Sequence, residues 1–423
     1  MVILLIVLYL LSPSASYAYL DPGTGAVLIN LLIAGVATLI YSLKGIFFRL
    51  LGRKQPETKA ISAVSPIAIL SEGKQYWATF EPIVKGFIAL GLKFRYYTLD
   101  IEDPALLIEH ELMDSRFLGF GAWKYGKAGN IRAEYLLCTT PNIGCKGYPL
   151  RRSPHTRNLI HVFHSINDLS MYKIGSLDFY DAVVLVGEFQ TASIRELEKK
   201  RSLKPKQLIP LGLPYLDVYC KNKQDKTEKA ETKTILIGSS WGSKGLLAHY
   251  GTGFIVQLAN LGYHIIVRPH PQSLVSEQEM INRCKRQLAG YKNVVWDTQI
   301  SPSEAMNKAD LLISDTSSLR FDFAFIYEKP VITLDIPLAA MPGYERDQLS
   351  AIWSDVAGAK IGFVLSEADL DCLGEYVERS CQAGTTEKIK HFRAETVVNY
   401  GHSGLAIARY FADKLTETGE KTC

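Results

Sequence analysis

The chain has 423 residues, 47% of them apolar, with 47 basic against 43 acidic side chains. These proportions exclude a disordered chain, a collagen-like repeat and a small disulfide-stapled fold, and the length predicts two or three domains. Residues 1–60 carry +3 of the net charge of +4. The body therefore shows no overall basic excess, and nucleic acid is not an expected partner.

The amino-terminal segment predicts a membrane anchor over residues 1–55. Residues 1–11 are almost uninterruptedly apolar and precede small residues, which leaves a cleaved secretory signal and a short membrane helix as open alternatives. An Asp-Pro turn with two glycines follows, and then residues 26–43 form an uncharged apolar stretch of membrane length. A solvent-buried helix is the alternative for this second stretch.

Positive charge next to the second apolar stretch predicts the orientation of the chain. Residues 44–54 hold four basic side chains and no acidic one, a pattern typical of the cytoplasmic flank of a span and of contact with anionic membrane lipids. The preceding Tyr-Leu-Asp-Pro-Gly-Thr-Gly turn resembles the hairpin at the start of many small bacterial membrane proteins. We therefore expect a bacterial inner (cytoplasmic) membrane protein with its body on the cytoplasmic side.

The seven cysteines predict neither disulfides nor a zinc site. Their number is odd and no Cys-x-x-Cys pair occurs, so reduced thiols are expected. No His/Asp cluster has metal-ligand spacing, so no metal ligand is predicted and Mg²⁺ stays open as a cofactor.

From residue 61 onwards, short apolar runs alternate with helical patterns, which is typical of an α/β fold. A polar, charged segment at 220–233 divides this body into two halves, 61–220 and 234–415, each with the pattern of a Rossmann-like domain. The predicted strands lie at 67–70, 94–98, 159–163, 182–186, 234–237, 264–268, 294–296, 311–314 and 331–334, and helices are predicted at 80–90 and 191–201 among others.

Chemically active side chains follow four of these strands, where open α/β sheets bind ligands. His164 follows the strand at 159–163 and suits proton removal from a hydroxyl, with a structural histidine as the alternative. A loop of glycines and hydroxyls at 238–245 can approach a phosphate closely, although ordinary strand–helix turns look similar.

The other two sites predict anion binding. Arg268-Pro269-His270-Pro271 holds a guanidinium and an imidazole together on a stiff loop, and arginine binds phosphate oxygens in a bidentate manner. At 314–323 a strand meets a helix start at Ser317 and Ser318, where the helix dipole favours anions. Asp322 lies one turn along; a capped helix with a surface aspartate is the alternative.

In this order the four sites resemble the CDP-glycerol glycerophosphotransferase family, the teichoic-acid primases and polymerases. The family's Arg-Pro-His-Pro stands unchanged at 268–271, and its Thr-Asp-Tyr-Ser-Ser-x-x-Phe-Asp-Phe appears as Ser-Asp-Thr-Ser-Ser-Leu-Arg-Phe-Asp-Phe at 314–323. Its Trp-His-Gly-Thr-Pro-Leu and Ala-Pro-Thr-Trp segments match 163–168 and 238–241 more loosely. The resemblance covers roughly residues 159–355.

The resemblance implies a GT-B-like fold, two Rossmann-like domains facing a cleft, with 61–220 as the acceptor domain and 234–415 as the nucleotide-donor domain. It implies transfer of glycerol phosphate, or a related alditol phosphate, from a CDP-alcohol such as CDP-glycerol to a hydroxyl of a cell-envelope glycan or lipid-linked acceptor, with release of CMP. His164 and His270 are the implied catalytic residues. The implied donor-binding residues are Ser165, Ile166, Asn167, Asp168, Tyr215, Ser239, Ser240, Arg268, Pro269, His270, Ser317, Ser318 and Asp322.

Two departures from the family pattern lie in the first half. Ser165 and Ile166 replace Gly-Thr after the histidine, and Tyr215 replaces the arginine of the Gly-x-Pro-Arg turn. The loss of that arginine removes one expected phosphate contact. Two alternatives stay open: a GT-B glycosyltransferase that uses a nucleotide sugar, and a non-catalytic nucleotide- or glycan-binding protein of envelope assembly.

Overall fold

The computed structural model describes residues 64–221, 232–299, 301–336 and 342–417. The predicted membrane anchor at 1–55 lies outside these ranges. None of the helices within them has the length and apolar character needed to cross a membrane.

The first half of the body is built on a parallel sheet whose inner strands are apolar on both faces. Such strands require cover on both sides, which the helices provide. The sheet runs in the order β3-β2-β1-β4-β5-β6-β7. Its strands are β1 (Ser65–Ser71), β2 (Phe94–Thr98), β3 (Met113–Phe117), β4 (Ala133–Cys138), β5 (Thr156–Val162), β6 (Ala182–Leu185) and β7 (Gln207–Pro210).

The second half carries another parallel sheet, in the order β10-β9-β8-β11-β12-β13. Its four inner strands are buried along almost their whole length. The strands are β8 (Thr234–Gly238), β9 (His264–Arg268), β10 (Val294–Trp296), β11 (Leu311–Ser314), β12 (Val331–Leu334) and β13 (Gly362–Leu365).

Helices cover both sheets. Those of the first half are α1 (Trp77–Ala89), α2 (Trp123–Ala128), α3 (Thr191–Lys200) and α4 (Tyr215–Tyr219). Those that follow are α5 (Leu246–Tyr250), α6 (Gly253–Asn260), α7 (Ser273–Ser276), α8 (Gln278–Leu288), α9 (Ser303–Lys308), α10 (Leu319–Tyr327), α11 (Trp353–Ala357), α12 (Leu373–Ser380), α13 (Thr385–Thr396) and α14 (Ser403–Glu417).

Strand order reverses once in each sheet, between β1 and β4 and between β8 and β11. At such a reversal the loops leave in opposite directions and open a crevice at the carboxyl ends of the strands, where ligands bind in α/β proteins. In the second sheet the register places Gly238 beside both Arg268 and Ser314. Two of the predicted sites and the loop at 238–245 therefore meet at one crevice.

The last helix returns to the first sheet. Phe411 of α14 packs against Phe87 of α1, and the two helices approach closely at Gly86 and Gly404, where a Cβ atom would clash with the facing helix. Asp217 of α4 accepts hydrogen bonds from the backbone N–H groups of residues 403 and 404 at the start of α14. The predicted second domain at 234–415 thus includes a helix that packs on the first half.

A segment after β12 also joins the two halves. Glu345 accepts hydrogen bonds from the Arg201 guanidinium at 2.8 and 3.0 Å and from the backbone N–H of Gly175 at 2.9 Å. Asp168 accepts one from the backbone N–H of Ser354 at 2.8 Å. These contacts fix the second half against the loop that carries His164.

Candidate functional site

A cavity of about 350 Å³ lies between the two halves. This size is within the range of small-molecule sites. Of the residues predicted to act, His164, Tyr215 and Asp322 are brought together here. The full lining is Gln75, Tyr76, Ala78, Thr79, His164, Tyr215, Tyr219, Pro302, Ser303, Met306, Asp322, Ile326 and Tyr327.

His164 enters the cavity from the loop that follows β5. Its ring lies edge-on to Tyr76, with the ring centres 5.1 Å apart. Burial lowers the pKa of His164, and a hydrogen bond to the backbone of Thr139 offsets part of this effect. Its Nδ1 is buried without a hydrogen-bond partner among the described residues. A neutral imidazole in the wall of a cavity is the form that a general base requires.

Tyr215 and Asp322 form a hydrogen-bonded pair in the wall of the cavity. The Tyr215 hydroxyl donates to the Asp322 carboxylate, and so joins α4 of the first half to α10 of the second. The carboxyl group of Asp322 is enclosed by protein, although part of the residue is exposed to the cavity. This burial raises the pKa of Asp322 to about 7. Tyr215 takes the place of a family arginine, so the pair carries a hydrogen bond where the family pattern has a cation.

Aromatic and uncharged side chains dominate the rest of the lining. Within the described part of the chain, it holds four tyrosines and neither a lysine nor an arginine. A phosphate entering this cavity would lose its hydration without meeting a cation, which is unfavourable. A hydroxyl-bearing, uncharged group would find hydrogen-bonding partners and aromatic surface instead.

A second cluster surrounds Asp315 at the crevice of the second sheet. This fully buried carboxylate accepts hydrogen bonds from the backbone N–H and the hydroxyl of Ser240, at 2.7 and 2.5 Å. It also accepts from the backbone N–H groups of Leu246 and Ser317, at 2.9 and 3.0 Å. Asp315 therefore sets the shape of the loop at 238–245 and of the start of α10, both predicted to bind the donor.

Two further predicted donor residues adjoin this cluster. The Ser239 hydroxyl donates to the carbonyl of Ser240 and accepts from the backbone N–H of Leu247. Ser318 precedes α10, and its side chain makes no capping hydrogen bond to that helix.

Arg268 is engaged by protein groups at the end of β9. Its guanidinium donates to the Asp297 carboxylate at 2.5 Å and to the carbonyl of Gln299 at 2.9 Å, and it is nearly buried. Pro269 is buried beside it, while His270 is exposed. Partial desolvation lowers the pKa of His270, and the negative charges of Asp315 and Glu277 oppose this shift. The His270 Nδ1 accepts a hydrogen bond from the backbone N–H of Gln272 at 3.1 Å.

The residues after His164 lie away from the cavity. The Ile166 side chain is completely buried in the core. Ser165 accepts a hydrogen bond from the Asn167 side chain, and Asp168 binds Ser170 as well as Ser354. The side chains of these four predicted donor-binding residues therefore hold the loop together, and none of them lines the cavity.

Sequence reasoning did not identify Tyr76 and Asp315 as site residues. Tyr76 precedes α1, far from His164 in the chain, and has no local motif. Asp315 could have been found, because an aspartate directly after a buried strand is placed to accept from neighbouring loops. In the described part of the chain, no group of three or more His, Cys, Asp or Glu side chains could hold a metal ion, and Mg²⁺ stays an untested expectation.

Residues 176–338 match the family model described as CDP-glycerol:poly(glycerophosphate) glycerophosphotransferase. The match confirms the predicted resemblance to this family over that segment, and it supports a transferase. No match was found among curated proteins.

Solved structures that resemble this chain cover most of its length. The wall teichoic acid polymerase TagF is 16% identical, with 91% of this chain and 99% of that chain covered and a TM-score of 0.53. The UDP-GlcNAc 2-epimerase from Methanocaldococcus jannaschii is 11% identical, with 82% and 99% covered and a TM-score of 0.54. These similarities confirm the predicted α/β, GT-B-like fold of the body.

Proposed function

We propose that this chain transfers glycerol phosphate, or a related alditol phosphate, from a CDP-alcohol to a hydroxyl of a cell-envelope glycan or lipid-linked acceptor, because residues 176–338 match the family model of CDP-glycerol:poly(glycerophosphate) glycerophosphotransferases. CMP is the second product. The observation that supports this role best is the neutral imidazole of His164 in the wall of a cavity between the two halves.

In the proposed reaction, His164 takes the proton of the acceptor hydroxyl. The oxygen then attacks the β-phosphorus of the donor, a new O–P bond forms, and the bond from that phosphorus to the bridging oxygen of CMP breaks. Charge accumulates on the phosphoryl oxygens, and its stabilisation is the main task of a phosphoryl-transfer site. We assign this task to Arg268, His270 and the start of α10 at Ser317 and Ser318.

The lining of the cavity supports an uncharged acceptor unit. Four tyrosines, one of them paired with Asp322, offer aromatic surface and hydrogen-bonding oxygen atoms, and the described part of the lining offers no cation. These groups suit the hydroxyls of a sugar or polyol. The CDP moiety belongs, in this proposal, to the crevice of the second sheet around Asp315, beside His270.

We further propose that the chain works at the cytoplasmic face of the bacterial inner membrane, with residues 1–55 as its anchor. This proposal rests on the apolar stretches and the basic residues at 44–54. Membrane lipids would then be partners, and a lipid-linked acceptor would be available at the same surface.

The test is nucleotide release by membranes that contain the full chain. They would be incubated with CDP-glycerol, other CDP-alditols and UDP-sugars, each with and without extracted envelope glycans. We expect acceptor-dependent release of CMP from a CDP-alcohol. Release of UDP from a UDP-sugar would instead support the glycosyltransferase alternative, and tight nucleotide binding without turnover on any acceptor would support a non-catalytic binding protein.

A further inference from the structure

A second cavity, of about 270 Å³, is lined by residues of the second half. It opens at the carboxyl ends of β11 and β12, where Thr316 follows β11 and where Thr333 and Asp335 lie at the end of β12. Among the described residues, it shares no lining side chain with the cavity that contains His164. It lies on the β12 side of β11, whereas the crevice around Asp315 lies on the β8 side.

A buried arginine is the central feature of this cavity. Arg320 is only 3% exposed, and its guanidinium donates to the carbonyl of Ser317 at 3.1 Å, to the hydroxyl of Thr333 at 3.0 Å and to the carbonyl of Thr316 at 3.4 Å. Burial lowers the pKa of Arg320 to about 10, so the group stays charged at neutral pH. Within the described ranges, these acceptors are neutral oxygen atoms, and no carboxylate lies within ion-pair distance. Because a guanidinium has five N–H donors, Arg320 has donors left for a ligand.

The charged side chains of the lining balance one another. Arg346 donates to the two carboxylate oxygens of Asp355 at 3.2 and 2.7 Å, and Asp335 adds a second carboxylate. Together with Arg320, the described lining holds two cations and two anions, so a ligand with a net charge would gain little from it. Each hydroxyl group of a polyol can both donate and accept hydrogen bonds. A ligand rich in hydroxyls can therefore bind the arginines and the aspartates at the same time.

The lining also distinguishes between ring-shaped and open-chain polyols. In the part of the chain that the structure describes, no aromatic side chain borders this cavity, and its larger apolar groups are the aliphatic Ile336 and Val364. The cavity that contains His164 has four tyrosines instead. Aromatic side chains supply the flat apolar surface on which a ring can pack. The second cavity therefore suits an open-chain polyol, that is, an alditol.

The start of α10 connects this cavity to the proposed phosphate site. The carbonyl that accepts from the Arg320 Nε belongs to Ser317, one of the residues to which we assign the phosphoryl oxygens of the donor. Positions 320 and 322 lie about 200° apart around a helix, so this cavity and the one lined by Asp322 flank α10 on opposite sides. We propose that the second cavity holds the alditol of a CDP-alditol donor and selects a chain longer than glycerol. We call it the alditol pocket, defined by Arg320, Thr333, Asp335, Arg346 and Asp355.

The volume of the alditol pocket supports the longer chain. At about 30 Å³ for each water-sized group, a cavity of about 270 Å³ accommodates about nine such groups. Glycerol has six carbon and oxygen atoms, whereas a five-carbon alditol has ten. Glycerol would leave about a third of the pocket to water. A five-carbon alditol would fill the pocket and offer two more hydroxyls to its aspartates and arginines.

This inference rests on the proposed function, because it takes a CDP-alcohol as the donor. The two can nevertheless fail separately, since binding is measurable without turnover. Release of CMP without any preference for the longer alditol would support the transferase and contradict the alditol pocket. Preferential binding of the longer alditol without release of CMP would support the pocket and contradict the transferase. An alditol unit of a polymer has the same chemistry as that of the donor, so the test must separate these two sources.

The test measures binding to the full chain in detergent micelles by calorimetry. The ligands are CDP-ribitol, CDP-glycerol, CDP and soluble oligo(ribitol phosphate). Val364→Phe adds a ring to the wall of the pocket, and Val356→Phe is the matched control, because Val356 is also exposed but does not line the pocket. Asp335→Ala is a second variant, which removes an exposed carboxylate from the pocket without adding bulk, and Asp371→Ala on the exposed surface is its control.

We expect the wild type to bind CDP-ribitol about tenfold more tightly than CDP-glycerol, because the longer alditol makes additional hydrogen bonds. Val364→Phe should abolish this preference, and Asp335→Ala should raise the Kd for CDP-ribitol by about 3- to 10-fold. The Kd for CDP should stay the same in both variants, because CDP has no alditol. Both control variants should bind all four ligands as the wild type does.

Three results would overturn the proposal. The first is equal or tighter binding of CDP-glycerol by the wild type. The second is a loss of affinity for CDP in the pocket variants as large as the loss for CDP-ribitol, because the pocket would then hold the nucleotide. The third is an unchanged Kd for CDP-ribitol in both pocket variants; if oligo(ribitol phosphate) alone lost affinity there, the pocket would bind a polymer chain and not the donor.

Discussion

The hydroxyl of Tyr215 donates a hydrogen bond to the carboxylate of Asp322 and so closes one wall of the cavity between the two halves. Burial of this carboxyl raises its pKa to about 7. The family pattern has arginine in place of Tyr215, and a tyrosine supplies a hydrogen bond without a positive charge. Asp322 is thus held in a setting that favours its protonated form near neutral pH.

The raised pKa of Asp322 predicts a pH-dependent stability. Below about pH 4 the carboxyl is protonated in both the folded and the unfolded chain, so its titration has no effect. Between about pH 4 and its folded pKa of about 7, the unfolded chain ionises first, and the free energy of unfolding falls as the pH rises. Asp322→Asn removes this loss and should exceed the wild type in stability by on the order of 4 kcal/mol above the folded pKa.

Urea denaturation from about pH 4 to about pH 8 would measure this difference. The control is Asp371→Asn on the exposed surface, which should run parallel to the wild type. If Asp322→Asn also runs parallel, the carboxyl is ionised in the fold and the inferred protonation is wrong.

Restoring the arginine of the family pattern at position 215 should lower the pKa of Asp322, which burial raises. In Tyr215→Arg, a guanidinium beside Asp322 would favour its ionised form and lower its pKa by about 1–3 units. The loss of stability with rising pH should then shrink. Tyr219→Arg is the matched control, since Tyr219 lines the same cavity but Tyr215 is the residue that donates to Asp322. An equal effect of both arginines would contradict a specific role of position 215.

His164 is predicted to carry the proton transfer. His164→Asn should lower kcat by about 100- to 10,000-fold if the imidazole is the general base. Because burial lowers the pKa of His164, the acidic limb of the wild-type kcat/KM profile should lie below the usual histidine range. His391→Asn, in an exposed part of α13, should retain full activity. A folded His164→Asn enzyme with normal turnover would exclude the base role.

The strands of the second sheet show what the sequence could reveal about the fold. The predicted ranges 264–268, 294–296, 311–314 and 331–334 coincide with β9 to β12, because continuous apolar runs are typical of strands in parallel sheets. Strands β3, β4, β7 and β13 were not predicted. Three of them, β3, β7 and β13, lie at sheet edges, where the pairing with a single neighbour, a tertiary effect, decides that the segment is a strand. β4 is an inner strand, and its sequence Ala-Glu-Tyr-Leu-Leu-Cys has a charged residue that interrupts the apolar run expected of such a strand.

Site residues could be predicted where the signal lies in neighbouring residues, but not where a residue acts through a partner far away in the chain. The position of His164 at a strand end was predictable, because it directly follows the apolar residues of β5. The pairing of Tyr215 with Asp322 joins positions 107 residues apart, and neither residue signals the other. Ile166 was assigned to the donor from the family segment, but its apolar side chain lies in the core.

Asp315 should control the geometry of the donor crevice. Asp315→Asn keeps the shape of the side chain but replaces an acceptor oxygen by an N–H group, which would face the backbone N–H groups of Ser240, Leu246 or Ser317. A loss of about 1–3 kcal/mol in stability is expected from the unsatisfied groups, together with weaker CDP-glycerol binding by calorimetry. Ser240→Ala removes only the hydroxyl contact and should have the smaller effect; the reverse order would contradict this role.

Arg268 is a predicted phosphate ligand, and it also forms an ion pair with Asp297. Substitutions at the two positions can separate these roles. The Arg268 guanidinium is nearly buried against Asp297, so Asp297→Ala should cost about 3–5 kcal/mol in stability by leaving that cation unpaired. If Arg268 also contacts the donor, Arg268→Ala should raise KM for CDP-glycerol by about 10- to 100-fold, the value of one charged hydrogen bond. Asp297→Asn, which retains the guanidinium and a hydrogen-bonding oxygen, should leave KM much closer to that of the wild type. Equal increases of KM in Arg268→Ala and Asp297→Asn would contradict a direct contact between Arg268 and the donor. They would indicate that Arg268 acts only by holding the loop at 297–299.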